Sequence, residues 1–279
     1  MKRTKSFDNS HFVLYLIATP IGNLSEISER ALTTIKEMDI IAAEDTRNTG
    51  FLLNRYGFSK ELFSLREHNE NEASSYLISL IKNGKKVAYV SDAGYPGISD
   101  PGYLLVKNAL KEDIAVSTIS GPSAFINALV ASGLETNHFY FHGFLPAKDS
   151  EAKEELEFLK DKRETLIFYE SPHRIHRMLE NLFEILGDRN AVIARELTKL
   201  NEEYIRGALS ELVAINEQEL KGEMVVMVEG NKQEETISDQ FLIDKVNNLV
   251  NKGLSKKDAI DIVSDHFMVN KNRIKKLVL

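Results

Sequence analysis

The stretch of sequence that decides the fold runs from residue 87 to residue 102 and consists of Val-Ala-Tyr-Val-Ser-Asp-Ala-Gly-Tyr-Pro-Gly-Ile-Ser-Asp-Pro-Gly. It begins with four apolar residues without polar alternation, which is typical of a strand buried on both faces. A loop with three glycines and two prolines follows. Its end predicts a helix start, with Asp100 as the N-cap and Pro101 at the first helical position. The stretch therefore predicts half of a parallel βαβ unit, whose loop lies where open α/β sheets bind ligands.

The same alternation of strand and helix patterns continues on both sides of this stretch. Over residues 1–135 it predicts a doubly wound parallel sheet. Residues 136–230 predict a second α/β domain, in which closely spaced strand patterns indicate a mixed sheet. A polar segment at 231–236 predicts a linker, and three short helical patterns follow it, with Ser255 as the cap of the second. We therefore expect an α/β protein with two domains and a small helical domain at residues 237–279.

The composition excludes several classes of protein. The 279 residues include no cysteine, which excludes disulfides, thiolate metal sites and cysteine nucleophiles. No apolar run reaches the length of a membrane span, and the short run at 12–18 predicts a first strand because no signal-peptide cleavage site follows it. The net charge of −7 argues against a uniformly basic surface. Any contact with nucleic acid must therefore come from a local basic patch.

Four loops share one design, in which a small or polar residue and a proline follow an apolar strand near a helix start. They are Thr19–Asn23, Asp92–Gly102, Gly121–Ala124 and Ser171–Arg174, the last of which repeats the capping signature described above. Because parallel strands present their carboxyl ends at one sheet edge, these loops predict a shared cleft. Neither the P-loop nor the dinucleotide glycine spacing occurs, which favours a bulky organic ligand over a phosphate group. Asp92 would either hold an amine or hydroxyl of that ligand or cap its own loop as an Asx turn.

Seven segments that carry these and similar residues stand in order along the chain: Ala-Thr-Pro-Ile-Gly-Asn-Leu at 18–24, Glu-Asp-Thr-Arg at 44–47, Ser-Asp-Ala-Gly-Tyr-Pro-Gly-Ile-Ser-Asp-Pro-Gly at 91–102, Gly-Pro-Ser-Ala at 121–124, Gly-Phe-Leu-Pro at 143–146, Tyr-Glu-Ser-Pro-His-Arg at 169–174 and Arg-Glu-Leu-Thr-Lys at 195–199. Together they closely resemble the ribosomal RNA small subunit methyltransferase I family, within the tetrapyrrole methylase superfamily. The resemblance covers roughly residues 12–230, and the tail from Asp239 resembles the C-terminal extension of that family. Seven ordered segments are far more specific than any one of them.

The resemblance implies a two-domain tetrapyrrole methylase fold that binds S-adenosylmethionine in the cleft between the domains, usually as a homodimer. It implies methyl transfer to the ribose 2′-oxygen of a cytidine in the decoding centre of 16S rRNA, within the small ribosomal subunit. The absence of cysteine fits a reducing cytoplasm, and we expect neither DNA nor a membrane as a partner. By position, the residues that match the cofactor loops of the family are Pro20, Gly22, Asp92, Gly94, Tyr95, Pro96, Gly121, Ser123, Ala124 and Tyr169.

Catalytic candidates follow from the chemistry of this transfer. A 2′-hydroxyl is a poor nucleophile until it loses its proton, so a general base or a stabilising cation should assist. The candidates for these roles are Glu44, Asp45, Arg47 and Glu170. Each carboxylate has an alternative role as a helix cap or as the ion-pair partner of a nearby arginine, namely Arg47, Arg174 or Arg195. The residues alone leave this choice open.

Basic residues supply the candidates for RNA contact, namely Arg174 and, in the tail, Lys256, Lys257, Lys271, Arg273 and Lys275. Such side chains bind phosphates without reading sequence. The alternative for the tail is a small packing or dimerisation domain with solvated lysines. The sequence predicts no metal site, because the close pair His173 and His176 has no third ligand nearby.

Two rival functions remain compatible with these patterns. One is methylation of a small tetrapyrrole or its precursor, and the other is a non-catalytic role in ribosome assembly. The basic tail and the Ala-Thr-Pro-Ile-Gly-Asn form of the first loop favour RNA over a tetrapyrrole.

Overall fold

The computed structural model of the protein describes residues 12–232, 238–267 and 269–278. The chain forms two compact units, Met1–Asn231 and Lys232–Leu279. Most of the predicted linker at 231–236 lies outside the described residues. Every helix within the described ranges is too short or too polar to traverse a lipid bilayer.

The first unit contains two sheets, of which the first is fully parallel. Its strands are β1 (Val13–Ile17), β2 (Ile40–Ala43), β3 (Glu61–Ser64), β4 (Val87–Val90) and β5 (Ala115–Ile119). Its helices are α1 (Glu29–Glu37), α2 (Thr46–Arg55), α3 (Glu70–Lys82) and α4 (Tyr103–Lys111). Apolar side chains of α1 and α2 pack against one face, and those of α3 and α4 pack against the other. The predicted doubly wound parallel sheet is therefore confirmed.

The order of these strands fixes the position of a crevice. They lie side by side as β3-β2-β4-β1-β5, so β4 and β1 are central neighbours. The chain leaves β1 toward β2 on one side and leaves β4 toward β5 on the other. Such a reversal opens a crevice at the carboxyl ends of the two central strands. The loops that follow β1 and β4 therefore meet at this point.

The second sheet is mixed, as predicted. Its strands are β6 (Phe139–Phe144), β7 (Thr165–Glu170), β8 (Asn190–Arg195), β9 (Glu203–Ala208) and β10 (Met224–Val228). They lie in the order β6-β7-β10-β8-β9, and only the pair of β6 and β7 is parallel. One face packs against the helices α6 (Asp149–Leu159), α7 (Ile175–Leu186) and α8 (Leu209–Val213).

Helix α5 (Ala124–Ser132) joins the two sheets of the first unit. It follows the last strand of the parallel sheet, yet its buried residues Ala128 and Leu129 pack against Ile167 and Met227 on the second sheet. Ile21, from the loop after β1, belongs to the same apolar cluster. The space between the sheets is therefore closed on one side by apolar packing and bordered by the loops of both.

The second unit consists of three helices, α9 (Asp239–Asn251), α10 (Lys256–Phe267) and α11 (Lys271–Val278). Their common core includes Leu242, Ile260 and Ile274. The predicted cap is confirmed, since Ser255 Oγ accepts a hydrogen bond from the backbone N–H of Asp258 at 3.1 Å. The three predicted helices of the tail are present.

Two predicted helix starts are wrong. Helix α4 begins at Tyr103 with Gly102 as its N-cap, so neither Asp100 nor Pro101 belongs to it. Gly102 has a φ of +134°, which disfavours other residues, and its N–H group is capped by a side chain from another helix. Helix α7 begins at Ile175 with Arg174 as its N-cap, three residues after Pro172. Residues 172–174 form a turn, in which the N–H of Arg174 donates to the carbonyl of Ser171 at 3.1 Å, and the helix begins after it.

Candidate functional site

The loops after β1 and β4 are locked together at the crevice. Thr19 and Gly94 exchange two backbone hydrogen bonds of 2.9 and 3.0 Å in an isolated antiparallel bridge. The hydroxyl of Thr19 also donates to the carbonyl of Ser91 at 3.2 Å. Gly94 has a φ of +75°, which favours glycine, because the loop turns sharply here to meet its neighbour. The two loops form one rigid wall.

A cavity of about 320 Å³, which we call the inter-sheet cavity, lies behind this wall. The parallel sheet contributes Ile21, residues 93–95 and 98–100, and Ser123 and Ala124. The second sheet contributes Phe144, residues 169–172, Leu197 and residues 223–225. The rings of Phe144 and Tyr169 meet edge to face at 5.6 Å, and burial raises the pKa of Tyr169 to about 12. The lining is mainly apolar, with a few polar groups at fixed positions, as in small-molecule sites.

The predicted cofactor residues divide into three groups. Those that line the inter-sheet cavity are Gly94, Tyr95, Ser123, Ala124 and Tyr169. Gly121 instead shapes the loop, since its N–H donates to the hydroxyl of Tyr95 at 3.2 Å and a Cβ there would lie 2.9 Å from the Cβ of Ala18. Pro96 is buried within its loop. Pro20, Gly22 and Asp92 line a smaller neighbouring cavity instead.

A second, larger cavity of about 690 Å³ lies at the carboxyl ends of β2, β3 and β4. We call it the acidic cavity, because six of the residues that line it are carboxylic acids: Glu44, Asp45, Glu67, Glu70, Asp92 and Asp100. Arg47, Arg66 and His68 also line it and are exposed. Ser99 and Asp100 line both the acidic and the inter-sheet cavities. The two cavities therefore adjoin, and Asp100 lies at their junction.

The carboxylates of the acidic cavity perturb one another. Burial, followed by the negative charge of Glu44, raises the pKa of Asp100 to about 7. Burial, followed by the negative charge of Asp92, also raises the pKa of Glu44. A carboxyl group whose pKa is raised to about 7, like that of Asp100, is typical of sites that exchange protons.

Asp100 is a candidate functional residue that the sequence pattern missed. The Asp-Pro pair suggests a helix cap, but the carboxylate of Glu70 performs that role and leaves Asp100 in the loop. Ser99, just before it, has a φ of +61°, which is rare for a residue with a side chain. Strained backbone of this kind clusters at functional sites, but a sequence gives no sign of it.

Asp45 and Arg47 form a pair at the rim of the acidic cavity. Asp45 is the N-cap of α2, and its carboxylate accepts hydrogen bonds from Arg47 Nε at 3.1 Å and from a terminal guanidinium nitrogen at 2.6 Å. These hydrogen bonds hold the pKa of Asp45 well below its usual range. Asp45 is thus a poor proton acceptor, whereas the side chain of Arg47 is 84% exposed and can meet an anion.

Glu170 and Arg174 form a second pair. Glu170 is buried at the edge of the inter-sheet cavity, 3.2 Å from the guanidinium of Arg174. The same guanidinium donates to the carbonyls of Leu145 and Pro146 at 2.8 and 3.1 Å. The pair therefore ties the start of α7 to the segment that follows β6. This ion pair is the alternative role that the sequence left open for Glu170.

The predicted RNA-binding cations of the tail differ in their partners. Lys271 pairs with Asp261, and Arg273 lies 2.7 Å from Asp239, so both contribute to the packing of the three helices. Lys256 and Lys257 are exposed at the start of α10, and Lys275 is half-buried. His173 is exposed, and His176 lies 3.7 Å from Glu180. Among the described residues, no three His, Asp or Glu side chains are grouped as a metal ion requires.

Comparison with known proteins places this geometry in a family. Residues 13–213 match the family model described as Tetrapyrrole (Corrin/Porphyrin) Methylases. The chain is 43% identical to the ribosomal RNA small subunit methyltransferase I of Streptococcus pyogenes serotype M1, over 98% of each chain. It is 42% identical to the protein of that name from Bacillus subtilis (strain 168), over 93% of this chain and 92% of the other.

Solved structures show the same fold at much lower identity. The uroporphyrin-III-C-methyltransferase from Thermus thermophilus superposes with a TM-score of 0.56 at 19% identity, over 78% of this chain and 94% of that one. The methyltransferase CobJ superposes with a TM-score of 0.58 at 18% identity, over 82% and 97%. The predicted tetrapyrrole methylase fold is confirmed.

Proposed function

The chain belongs to the tetrapyrrole methylase family and, within it, to the ribosomal RNA small subunit methyltransferase I family, and from this premise we propose that it methylates the RNA of the small ribosomal subunit with S-adenosylmethionine as the donor. The acceptor that we propose is the ribose 2′-oxygen of a cytidine in the decoding centre of 16S rRNA. One observation carries the proposal. A mainly apolar cavity of cofactor size adjoins an open cavity of carboxylates, and the two share Ser99 and Asp100.

The residues of the inter-sheet cavity fit the proposed cofactor. Ile21, Leu197 and the ring of Tyr169 offer apolar surface to a nucleoside, and Ser123 offers a hydroxyl. Asp100 offers negative charge at the junction, which would stabilise a sulfonium cation. When bound, the cofactor would supply a methyl group that is already activated, so the protein's main contribution is alignment and exclusion of water. Alignment of this kind supplies roughly 7–11 kcal/mol in favourable cases.

Glu44 is the strongest candidate for the proton acceptor. It lines the acidic cavity, where burial and the charge of Asp92 raise its pKa toward the range in which a general base works. Asp45 pairs with Arg47, which lowers its pKa, and Glu170 pairs with Arg174 and lines the inter-sheet cavity rather than the acidic one. We therefore propose that Glu44 takes the proton of the 2′-hydroxyl, while Arg47 offsets negative charge at the rim.

Local basic residues support an RNA substrate despite the acidic composition. Arg47 and Arg66 expose guanidinium groups at the acidic cavity, where they can contact phosphates beside the reacting ribose. Lys256 and Lys257 offer further phosphate contacts on the second unit. The interior of the acidic cavity would repel a phosphate, so the charge pattern favours phosphates at the rim and a neutral ribose inside.

We propose a homodimer in the cytoplasm, and the first unit carries exposed apolar side chains that a dimer would cover, such as Val130 and Leu200. We also propose that the first unit consists of two domains divided near residue 135, since each sheet has a core of its own. For the tail, phosphate contact by Lys256, Lys257 and Lys275 is the proposed role.

The test is transfer of a tritiated methyl group to small ribosomal subunits. Methylation of a 2′-oxygen blocks alkaline cleavage at that nucleotide, so the label should be recovered in an alkali-resistant dinucleotide. Label on a base would contradict the 2′-oxygen, and label on a porphyrin in place of RNA would favour the tetrapyrrole alternative. Calorimetric titration with S-adenosylmethionine provides a separate measurement, and the absence of binding would overturn the enzyme assignment altogether.

A further inference from the structure

A third cavity, of about 200 Å³, lies beside the other two, and we call it the Phe51 cavity. The residues of its lining that matter here are Pro20, Gly22, Leu24, Asn48, Phe51 and Asp92. Pro20 and Gly22 flank Ile21, which lines the inter-sheet cavity, so a single loop separates the two cavities. The proposed transfer gives this third cavity no role.

The three cavities are linked in a row through shared carboxylates. Asp100 lines both the inter-sheet and the acidic cavities, and Asp92 lines both the acidic cavity and the Phe51 cavity. The reacting groups stand in the same order as the cavities: the methyl donor meets the 2′-oxygen of the ribose, and the base projects from that ribose. If the methyl donor occupies the first cavity and the ribose the second, the base reaches the third.

The apolar side of the Phe51 cavity suits a flat aromatic ligand. Phe51 lies on α2 with 74% of its surface exposed, and Leu24 across the cavity is 37% exposed. A ring that is this exposed contributes little to the stability of the fold by burial. Bases stack on such rings in single-stranded RNA recognition, with about 1–3 kcal/mol lost per base when the ring is removed.

On the polar side of the cavity, hydrogen bonds hold the side chains of Asn48 and Asp92 in fixed orientations. The carboxylate of Asp92 accepts hydrogen bonds from the side-chain amide of Asn48 at 2.7 Å and from the backbone N–H of Asp45 at 3.2 Å. The first bond fixes which end of the Asn48 amide faces Asp92. It leaves the second amide hydrogen of Asn48 and further lone pairs of Asp92 for a ligand.

We infer that the Phe51 cavity binds the base of the methylated nucleotide and selects cytosine over uracil; this inference rests on the proposed function. The exocyclic amine of cytosine can donate to Asp92, and its ring nitrogen can accept from Asn48. Uracil presents a carbonyl oxygen in place of the amine, and two acceptors would then face each other. A site that is built to hydrogen-bond one group rejects an analogue lacking it far more strongly than an apolar pocket does.

The experiment uses small subunits reconstituted with either cytidine or uridine at the acceptor position. Single-turnover methyl transfer is measured for the full-length protein and for Phe51→Ala and Asn48→Ala. The control is Phe158→Ala, which removes a ring of similar exposure (78%) from helix α6 on the second sheet. Calorimetric binding of S-adenosylmethionine to each variant verifies that its fold and cofactor site are intact.

We expect the wild type to prefer cytidine by about 100-fold or more. Asn48→Ala should reduce this ratio to about 10-fold or less, and Phe51→Ala should slow transfer to cytidine by about 5- to 100-fold. Phe158→Ala should match the wild type. Equal wild-type transfer to both subunits, or wild-type rates and preference in the two cavity variants, would overturn the inference. The absence of transfer to any subunit would instead overturn the proposed function.

Discussion

The buried carboxylate of Glu70 accepts a hydrogen bond from the backbone N–H of Gly102 at 2.8 Å, across the interface between α3 and α4. The same oxygen accepts the N–H of Leu104, also at 2.8 Å. One side chain of α3 thereby satisfies the first turn of α4, so Asp100 is free to line the two cavities. The helix start and the candidate site depend on the same contact.

Replacement of Glu70 should therefore affect both stability and the site. Glu70→Leu would leave two N–H groups without their acceptor and should lower the free energy of unfolding by about 2–3 kcal/mol, measured by urea denaturation. The affinity for S-adenosylmethionine should fall as well, because the loop before Gly102 loses its anchor. Glu72→Leu, at an exposed position of the same helix, is the matched control and should change little. Equal effects of both substitutions would contradict the capping role.

Asp100→Asn should weaken cofactor binding while it stabilises the fold above neutral pH. Because the pKa of Asp100 is raised to about 7 in the folded protein, its favourable contribution is complete below about pH 4 and is lost as the pH rises through 7. The amide variant avoids this loss, and partial exposure limits the expected gain to about 1–2 kcal/mol at about pH 8. Binding of the sulfonium cofactor should weaken about 10-fold or more, since a negative charge is lost.

Two titrations separate these effects. Urea denaturation at several pH values should give free energies of unfolding for wild type and variant that become equal at acidic pH. At alkaline pH the variant should be the more stable of the two. Calorimetry should show wild-type affinity rising with pH as Asp100 ionises. A variant that is less stable than the wild type at alkaline pH would contradict the burial of this carboxylate.

Glu44→Gln tests the proposed proton acceptor. It keeps the shape of the side chain but removes the basic oxygen, so kcat should fall by about 10²- to 10⁴-fold. Affinity for the cofactor should stay within about threefold of the wild type, because Glu44 lies outside the inter-sheet cavity. Glu67→Gln removes the same charge from the same cavity and should retain most of the activity. An equal loss in both variants would show that the net charge matters rather than Glu44.

Arg47→Ala should weaken the binding of RNA through the loss of one phosphate contact. We expect the affinity for small subunits to fall several-fold, and the slope of log K against log salt to decrease by about 1. Arg55→Ala, at an exposed position near the other end of α2, is the control and should leave the slope unchanged. An unchanged slope for Arg47→Ala would place this arginine outside the RNA interface.

Two glycines of the central loop offer a matched comparison. Gly97 and Gly102 both have positive φ values, of +84° and +134°. A Cβ at Gly97 would meet no described atom within 4 Å, whereas one at Gly102 would lie 2.9 Å from the ring of Tyr89. Gly97→Ala should cost about 1 kcal/mol of stability from strain alone, and Gly102→Ala about 2–4 kcal/mol. Thermal unfolding of the two variants measures the difference, and equal costs would contradict the close approach to Tyr89.

The local patterns of the sequence determined the elements of this fold. The apolar run at 87–90 forms a strand that is buried on both faces, as a run without polar alternation predicts, and the alternation with helical patterns leaves few topologies. The ordered loop segments also determined the family, since their residues and spacing can be read directly from the sequence. Gly94, Tyr95 and Tyr169 lie on the predicted cleft because the carboxyl ends of strands converge there.

Only the tertiary structure decided what each charged residue does. Asp45 and Asp100 both look like helix caps in the sequence, but Asp45 caps α2 and Asp100 is displaced from that role by Glu70. The choice among the carboxylates likewise depends on which arginine reaches which acid and on burial: burial raises the pKa of Asp100, whereas hydrogen bonds from Arg47 lower that of Asp45. The contact between Glu70 and Gly102 joins residues 32 positions apart, and electrostatic energies depend on distance and burial rather than on order along the chain.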